Sequence, residues 1–115
     1  MTLDIFLPTY KRPHTLAKVA KNIEETTFND YTLYFGLEKD DLACIRAARK
    51  TGHGVIINKY EPGYANTIQS MYEASNGKYW FHANDDFVFL KDWDKEPVFE
   101  MIRNQRIKVM GCHDG

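Results

Sequence analysis

Lys78-Tyr79-Trp80-Phe81-His82-Ala83-Asn84-Asp85-Asp86 is an aromatic, strand-like run that ends abruptly in an amide and two adjacent carboxylates. Acidic groups at the end of a buried strand are costly to place unless water, a cation or a hydrogen-bonding ligand meets them. In open α/β sheets, the crevice outside the strand ends is where ligands bind. Asn84, Asp85 and Asp86 are therefore the first candidate site residues, and hard-cation chemistry is the first expectation for them.

Upstream of this run the chain alternates strand and helix patterns. Leu3 to Leu7 reads as a short buried strand stopped by Pro8, and Pro13 suits the first position of a helix. Leu16, Val19, Ala20 and Ile23 then recur at helical spacing. Tyr31 to Leu37 reads as a second strand. Asp40 or Asp41 is the expected cap of a helix carrying Leu42, Ile45 and Ala48, with Gly52 or Gly54 ending it. Val55-Ile56-Ile57 is a third strand. Pro62-Gly63 opens a third helix with Ala65, Ile68, Met71 and Tyr72 on one face, and Asn76-Gly77 stops it. Tyr79 to His82 is the fourth strand. Downstream, Phe87 to Leu90 reads as a short strand or a packed loop. Asp92 or Asp94 is placed to cap a fourth helix through Val98, Met101 and Ile102, and Ile107 to Met110 reads as a fifth strand.

Strands alternating with helices imply an α/β fold: a three-layer, Rossmann-like, mostly parallel sheet with helices on both faces. Right-handed crossovers put every C-terminal strand end on one edge. That edge gathers Pro8-Thr9-Tyr10, Glu38 to Asp41, Asn58-Lys59 and Asn84-Asp85-Asp86. The length of 115 residues fits one domain, residues 1–115. With 43% apolar residues the chain can fill a core, and a net charge of -1 gives no footprint for nucleic acid or an anionic membrane. No apolar run is long enough to span a bilayer, and Met1-Thr2-Leu3-Asp4 lacks the features of a signal peptide. Cys44 and Cys112 have neither zinc nor redox spacing and read as buried free thiols in a reducing cytosol, so the expected location is cytoplasmic.

Two carboxylates and an amide on one short turn offer oxygen ligands to Mg²⁺ or Mn²⁺. Such an ion can neutralise a diphosphate leaving group. The chain has neither a Gly-x-x-x-x-Gly-Lys-Ser/Thr loop nor a Gly-x-Gly-x-x-Gly turn after its first strand. A metal is then the more natural phosphate partner than a glycine cradle.

Leu3-Asp4-Ile5-Phe6-Leu7-Pro8-Thr9-Tyr10-Lys11-Arg12-Pro13 resembles the opening of the family-2-type glycosyltransferases, whose first strand ends in Pro-Thr-Tyr-Asn-Arg-Pro. Asn84-Asp85-Asp86 is similar to their Asp-x-Asp or Asn-Asp-Asp motif, and Leu90-Lys91-Asp92-Trp93 to the Pro-Gly-Trp step that often follows it. Gly63-Tyr64-Ala65-Asn66 and Ala74-Ser75-Asn76-Gly77-Lys78-Tyr79 resemble the ends of their third helix. The resemblance covers nearly all of the chain. It implies the nucleotide-sugar-binding N-terminal half of a GT-A fold, a nucleotide-diphosphosugar donor and a divalent cation, Mn²⁺ or Mg²⁺. By the same resemblance Pro8, Thr9 and Tyr10 lie along the nucleoside, with Tyr10 near the base. Arg12 is placed to meet the diphosphate. Glu38 takes the position of an aspartate that contacts base or ribose. Asp86 is the metal ligand, with Asp85 and Asn84 supporting metal or ribose. The family's Asp-Asp-Gly-Ser is replaced here by Leu37-Glu38-Lys39-Asp40, which leaves the base open. Family members also have a second half with the acceptor pocket and, in inverting enzymes, a base; neither is recognised in this chain.

Each of these residues also has an ordinary structural explanation. The acidic turn can be a solvated Asx turn, Thr9 a helix-capping hydroxyl, and Asp40 and Asp41 helix caps. His82 reads as a core histidine, His14 and His53 as surface residues, and Trp80 and Trp93 as core. The leading functional expectation is a glycosyltransferase-type domain that moves a sugar from a nucleoside diphosphate to an unknown acceptor. The alternatives are a non-catalytic nucleotide- or partner-binding module, and a nucleotidyltransferase on a related fold. An uncovered strand edge at Ile107 to Met110 would favour a homodimer.

Overall fold

At the centre of the sheet lies β1 (Leu3–Pro8), hydrogen-bonded on both sides. The computed structural model describes residues 2–75 and 79–95. Within them the remaining elements are α1 (Leu16–Thr26), β2 (Tyr31–Leu37), α2 (Leu42–Thr51), β3 (Gly54–Ile57), α3 (Tyr64–Ala74) and β4 (Tyr79–His82). The strand order is β3-β2-β1-β4 and every pairing is parallel. The first two crossovers step outward on one side of β1, and the third returns past it. Right-handed connections therefore send α1 and α2 to one face of the sheet and α3 to the other. The switch point, where the crossover direction reverses, lies between β1 and β4.

Side chains alternate strictly across this sheet, as the pleat requires. Leu3, Ile5 and Leu7 of β1 join Leu33, Phe35 and Leu37 of β2 and Tyr79, Phe81 and Ala83 beside them in one core. α1 closes it with Leu16, Val19, Ala20 and Ile23, the four positions expected from the helical spacing. α2 adds Cys44, Ile45 and Ala48. Leu42, expected on that face, is exposed: the Asp41 side chain caps α2 at Cys44 N–H, so Leu42 falls in the first turn and Cys44 turns inward instead. Gly52, at φ 80°, ends α2 in the left-handed conformation that glycine adopts without strain.

The opposite face is more polar. α3 buries Met71, as expected, but with Thr67 and Ser70 rather than Ala65, Ile68 and Tyr72; Ala65 and Tyr72 are exposed and Ile68 half-buried. The cause is hydrogen bonding. Ser70 Oγ donates to Asn58 Oδ1 at 3.2 Å and accepts from Lys59 N–H at 3.1 Å, while Thr67 Oγ1 donates to the Gly63 carbonyl at 3.0 Å. α3 approaches β2 over Gly36, where an added Cβ would overlap Met71 Sδ and lie 2.8 Å from Thr67 Cγ2. Beside α3, Phe6 stacks on Trp80 at 6.1 Å, and Trp80 on His82 at 4.8 Å. His82 also stacks on Phe6 at 5.9 Å, and burial pushes its pKa down, which favours the neutral ring.

Pro8 is the last residue of β1 rather than its stop, and Pro13 opens a short 3-10 turn, Pro13–Thr15, ahead of α1. Phe87 to Leu90 is a packed loop. Asn22 anchors it by donating to the Phe89 carbonyl at 3.1 Å and accepting from Phe89 N–H at 2.7 Å. Asp94 is fully buried and gathers the loop after α1, accepting from Phe28 N–H, Asn29 N–H and Asn29 Nδ2 at 2.7–2.9 Å. Trp80 and Trp93 are half-buried, and Trp93 Nε1 donates to Thr27 Oγ1. His14 is exposed, but His53 is half-buried against Glu24, 2.6 Å away, a pairing that removes it from the open surface. The expected stop at Asn76-Gly77, the fourth helix, the fifth strand, Cys112 and the Ile107 to Met110 edge lie outside the described residues. Among the described residues no helix is long and apolar enough to cross a membrane.

Gly36→Ala is expected to lower stability by about 1–3 kcal/mol, the usual range for overpacking, because the new methyl must displace Met71 and Thr67. Urea denaturation of the variant beside the wild type checks this.

Candidate functional site

The residue after β1 fixes the geometry of the strand-end crevice. Thr9 continues the ladder by donating its backbone N–H to the Gly36 carbonyl at 3.0 Å. Its hydroxyl donates to Asp85 Oδ2 at 2.8 Å, so it ties β1 to the loop after β4 and caps no helix. Arg12 Nε reaches the same oxygen at 3.0 Å, and Thr15 Oγ1 lies 3.5 Å from it. Among the described residues every bond that Asp85 accepts falls on Oδ2. The carboxylate is thus oriented by two close donors, Thr9 and Arg12, while the Thr15 hydroxyl donates to the Arg12 carbonyl at 2.8 Å, and among the described residues Oδ1 is left for another partner. Asp86, the next residue, is exposed, as is Asn84, whose carbonyl closes the acidic turn by accepting from Phe87 N–H at 3.2 Å.

Two clefts adjoin this junction, and the Thr9–Asp85 bond joins their linings. The larger, about 470 Å³, lies between the ends of β1 and β2 and the start of α3. Pro8, Thr9 and Tyr10 form one side, Glu38 and Asp40 the floor and rim, and Pro62, Gly63, Tyr64 and Thr67 the other side. The smaller, about 330 Å³, lies between the start of α1 and the loop after β4 and includes Arg12, Thr15, Lys18, Asp85 and Asp86. Thus the structure brings Pro8, Thr9, Tyr10 and Glu38 together in one cleft, and Arg12, Asp85 and Asp86 in the other. Asn84 stands apart from both linings. Sequence reading missed Tyr64 and Thr67; the signal was present in Gly63-Tyr64, since a helix that starts beside a strand end brings its first turn to that crevice.

Two of the carboxylates after β2 are committed to structure. Glu38 Oε1 accepts from Asn58 Nδ2 at 2.8 Å, and Oε2 accepts from Gly63 N–H at 2.8 Å, with Thr67 Oγ1 at 3.5 Å. Glu38 therefore secures the start of α3, where a carboxylate also meets the positive end of the helix dipole. Asp41 is buried and accepts from Lys11 N–H at 2.6 Å as well as from Cys44 N–H. Lys11 takes φ 56° to make that bond, a left-handed conformation that costs a residue with a side chain of order 1 kcal/mol. Burial pushes the Asp41 pKa up, but the Lys11 and Cys44 donors outweigh it, and the carboxyl ends below its usual range. Burial, reinforced by Asp41, pushes the Cys44 thiol up to about 11, so it stays an uncharged core group.

Among the described residues no three His, Cys, Asp or Glu side chains converge to hold a metal ion. The donor set after β4 is the exposed Asp86 carboxylate and the second oxygen of Asp85. That set does not fit a closed, all-protein metal cage. It fits a hard cation that takes one or two carboxylates and completes its shell with water and phosphate oxygens.

A four-stranded parallel sheet whose crossover direction reverses between β1 and β4 defines a Rossmann-like α/β fold. Neither a protein-family model nor a curated protein matches the chain. Solved structures do match. One is glucosyl-3-phosphoglycerate synthase from Mycobacterium tuberculosis in complex with Mn²⁺, uridine-diphosphate and phosphoglyceric acid, which superposes with a TM-score of 0.70 over 84% of this chain at 16% identity. The likeness is one of fold, and it bears out the expected GT-A glycosyltransferase architecture. The chain spans 38% of the length of that enzyme.

Thr9→Val removes a buried hydroxyl donor from Asp85 and is expected to cost about 1 kcal/mol. Arg12→Ala, at a half-exposed pair, is expected to cost less than about 1 kcal/mol; chemical denaturation of both variants tests the order. Because Asp41 has a depressed folded pKa, its contribution is present above the ordinary carboxylate pKa and is lost as pH falls through the lower folded value. Thermal melts between neutral pH and about pH 2 should therefore show a shallower acid loss for Asp41→Asn than for the wild type.

Proposed function

We propose that this chain is a nucleotide-diphosphosugar-binding domain of the glycosyltransferase kind, transferring the donor's sugar to an acceptor. The observation that carries the reading is the junction at the switch point, where Thr9 and Arg12 after β1 converge on Asp85 after β4 beside a cleft of about 470 Å³. The fold likeness to an enzyme solved with uridine-diphosphate and Mn²⁺ supports it. In this reading the nucleoside occupies the larger cleft against Pro8, Thr9 and Tyr10. The diphosphate lies toward Arg12, whose guanidinium is held at Nε and keeps its other N–H groups for phosphate oxygens. Asp86, with Asp85, would hold a divalent cation, Mn²⁺ or Mg²⁺, which supplies charge neutralisation for the leaving diphosphate. Glu38 acts through the protein: by fixing Gly63 and Thr67 it holds the far side of the cleft in place. The acceptor hydroxyl needs a base, and none of the described carboxylates is assigned that role.

The test is donor turnover by the chain incubated with sugar esters of the common nucleoside diphosphates, with Mn²⁺ and then with chelator. Slow metal-dependent release of nucleoside diphosphate and free sugar is the expected result, with Asp86→Asn losing most of it while melting within about 1 °C of the wild type, as an exposed substitution should. Equal release in both conditions would remove the metal from the reading. Tight nucleotide binding without any release would support a binding module instead.

A further inference from the structure

The family-like position for reading the nucleobase, Glu38, is already engaged. Both of its oxygens are satisfied by Asn58, Gly63 and Thr67, and Asn58 is itself fully buried, with Oδ1 accepting from Tyr60 N–H and Ser70. Glu38 is half-buried in the cleft lining, and a ligand donor there would share oxygens that already hold the start of α3. Asp40, two residues on, is exposed at the rim of the same cleft. Its one hydrogen bond among the described residues is a long one, from the Tyr10 hydroxyl to Oδ2 at 3.3 Å. The cleft lining also includes two exposed aromatic side chains from different elements. Tyr10 follows β1 and is 48% exposed; Tyr64 begins α3 and is 59% exposed. No lysine, arginine or histidine lines this cleft.

We infer that Tyr10 and Tyr64 are the two aromatic walls of a nucleobase slot, and that Asp40, not Glu38, reads the base edge and selects a base with a ring N–H, guanine first. This rests on the reading of the cleft as a nucleotide site. A carboxylate only accepts hydrogen bonds. Guanine offers it two adjacent donors, the ring N1–H and the exocyclic amine, and so a bidentate pair. Uracil offers one, N3–H, between two carbonyls. Adenine and cytosine set a ring nitrogen acceptor next to their amine, which faces the carboxylate lone pairs unfavourably. Stacking on the tyrosines serves any base, because every base has a π-face.

Calorimetry of the full chain with GDP, UDP, ADP and CDP, in Mn²⁺, tests the inference. A hydrogen bond to a charged group is worth about tenfold or more in affinity, so GDP is expected to bind at least about tenfold tighter than ADP or CDP, with UDP between. Asp40→Asn should retain binding of all four and flatten their order. Tyr64→Ala should weaken all four by a similar factor, roughly 5- to 100-fold. Circular dichroism and melting temperature confirm that these exposed substitutions leave the fold intact. Four equal affinities in the wild type, or an order unchanged in Asp40→Asn, would overturn the assignment while leaving the nucleotide site standing. Failure of every nucleoside diphosphate to bind the wild type would overturn the site itself.

Discussion

A strand that is hydrogen-bonded along both edges and covered on both faces leaves only its ends open, and β1 is such a strand. Leu3, Ile5 and Leu7 face α1 and α2, while Phe6 faces the side of α3. The crossovers leave β1 in one direction toward β2 and return past it toward β4, so the chain opens a crevice where the loops after β1 and β4 part. Everything of functional interest hangs on that crevice. Thr9 and Arg12 come from one of its sides and Asp85 from the other, and their contact spans it.

The acidic residues at this edge show how one residue type is sorted by its surroundings. Asp41 is a buried cap, held by backbone donors from Lys11 and Cys44. Glu38 closes the start of α3, and Asp94 closes the loop after α1. Such groups are buried because hydrogen bonds compensate their loss of water. Asp40 and Asp86 remain at the surface of the clefts, and Asp85 is held by one oxygen only. Among the described residues a ligand or cation competes with no structural bond at Asp86 and with one long bond at Asp40. The carboxylates available for chemistry are thus the ones that the fold does not need.

The four described strands and the first helix were legible in the sequence because each depends on local pattern. Tyr31 to Leu37 and Tyr79 to His82 carry enough aromatic and β-branched character to declare strands, and Leu16, Val19, Ala20 and Ile23 keep helical spacing. The asymmetry of α3 was not legible. Its buried face is chosen by Ser70 and Thr67 bonding to Asn58 and Gly63, which a hydropathy pattern cannot register.

The sequence by itself determined that this chain forms a parallel α/β sheet and that an acidic turn stands at the end of its fourth strand. Periodicity and connection handedness are properties of short segments, and they survive translation into three dimensions. Only the tertiary structure decided which acidic groups are committed. Glu38 and Asp40 line the same cleft two residues apart, yet the first is half-buried and bonded to Asn58, Gly63 and Thr67 while the second is exposed. Their difference arises from partners of Glu38 that lie 20 to 29 positions away in the chain, brought within hydrogen-bond reach by the packing of α3 over Gly36, which spacing along the sequence does not encode.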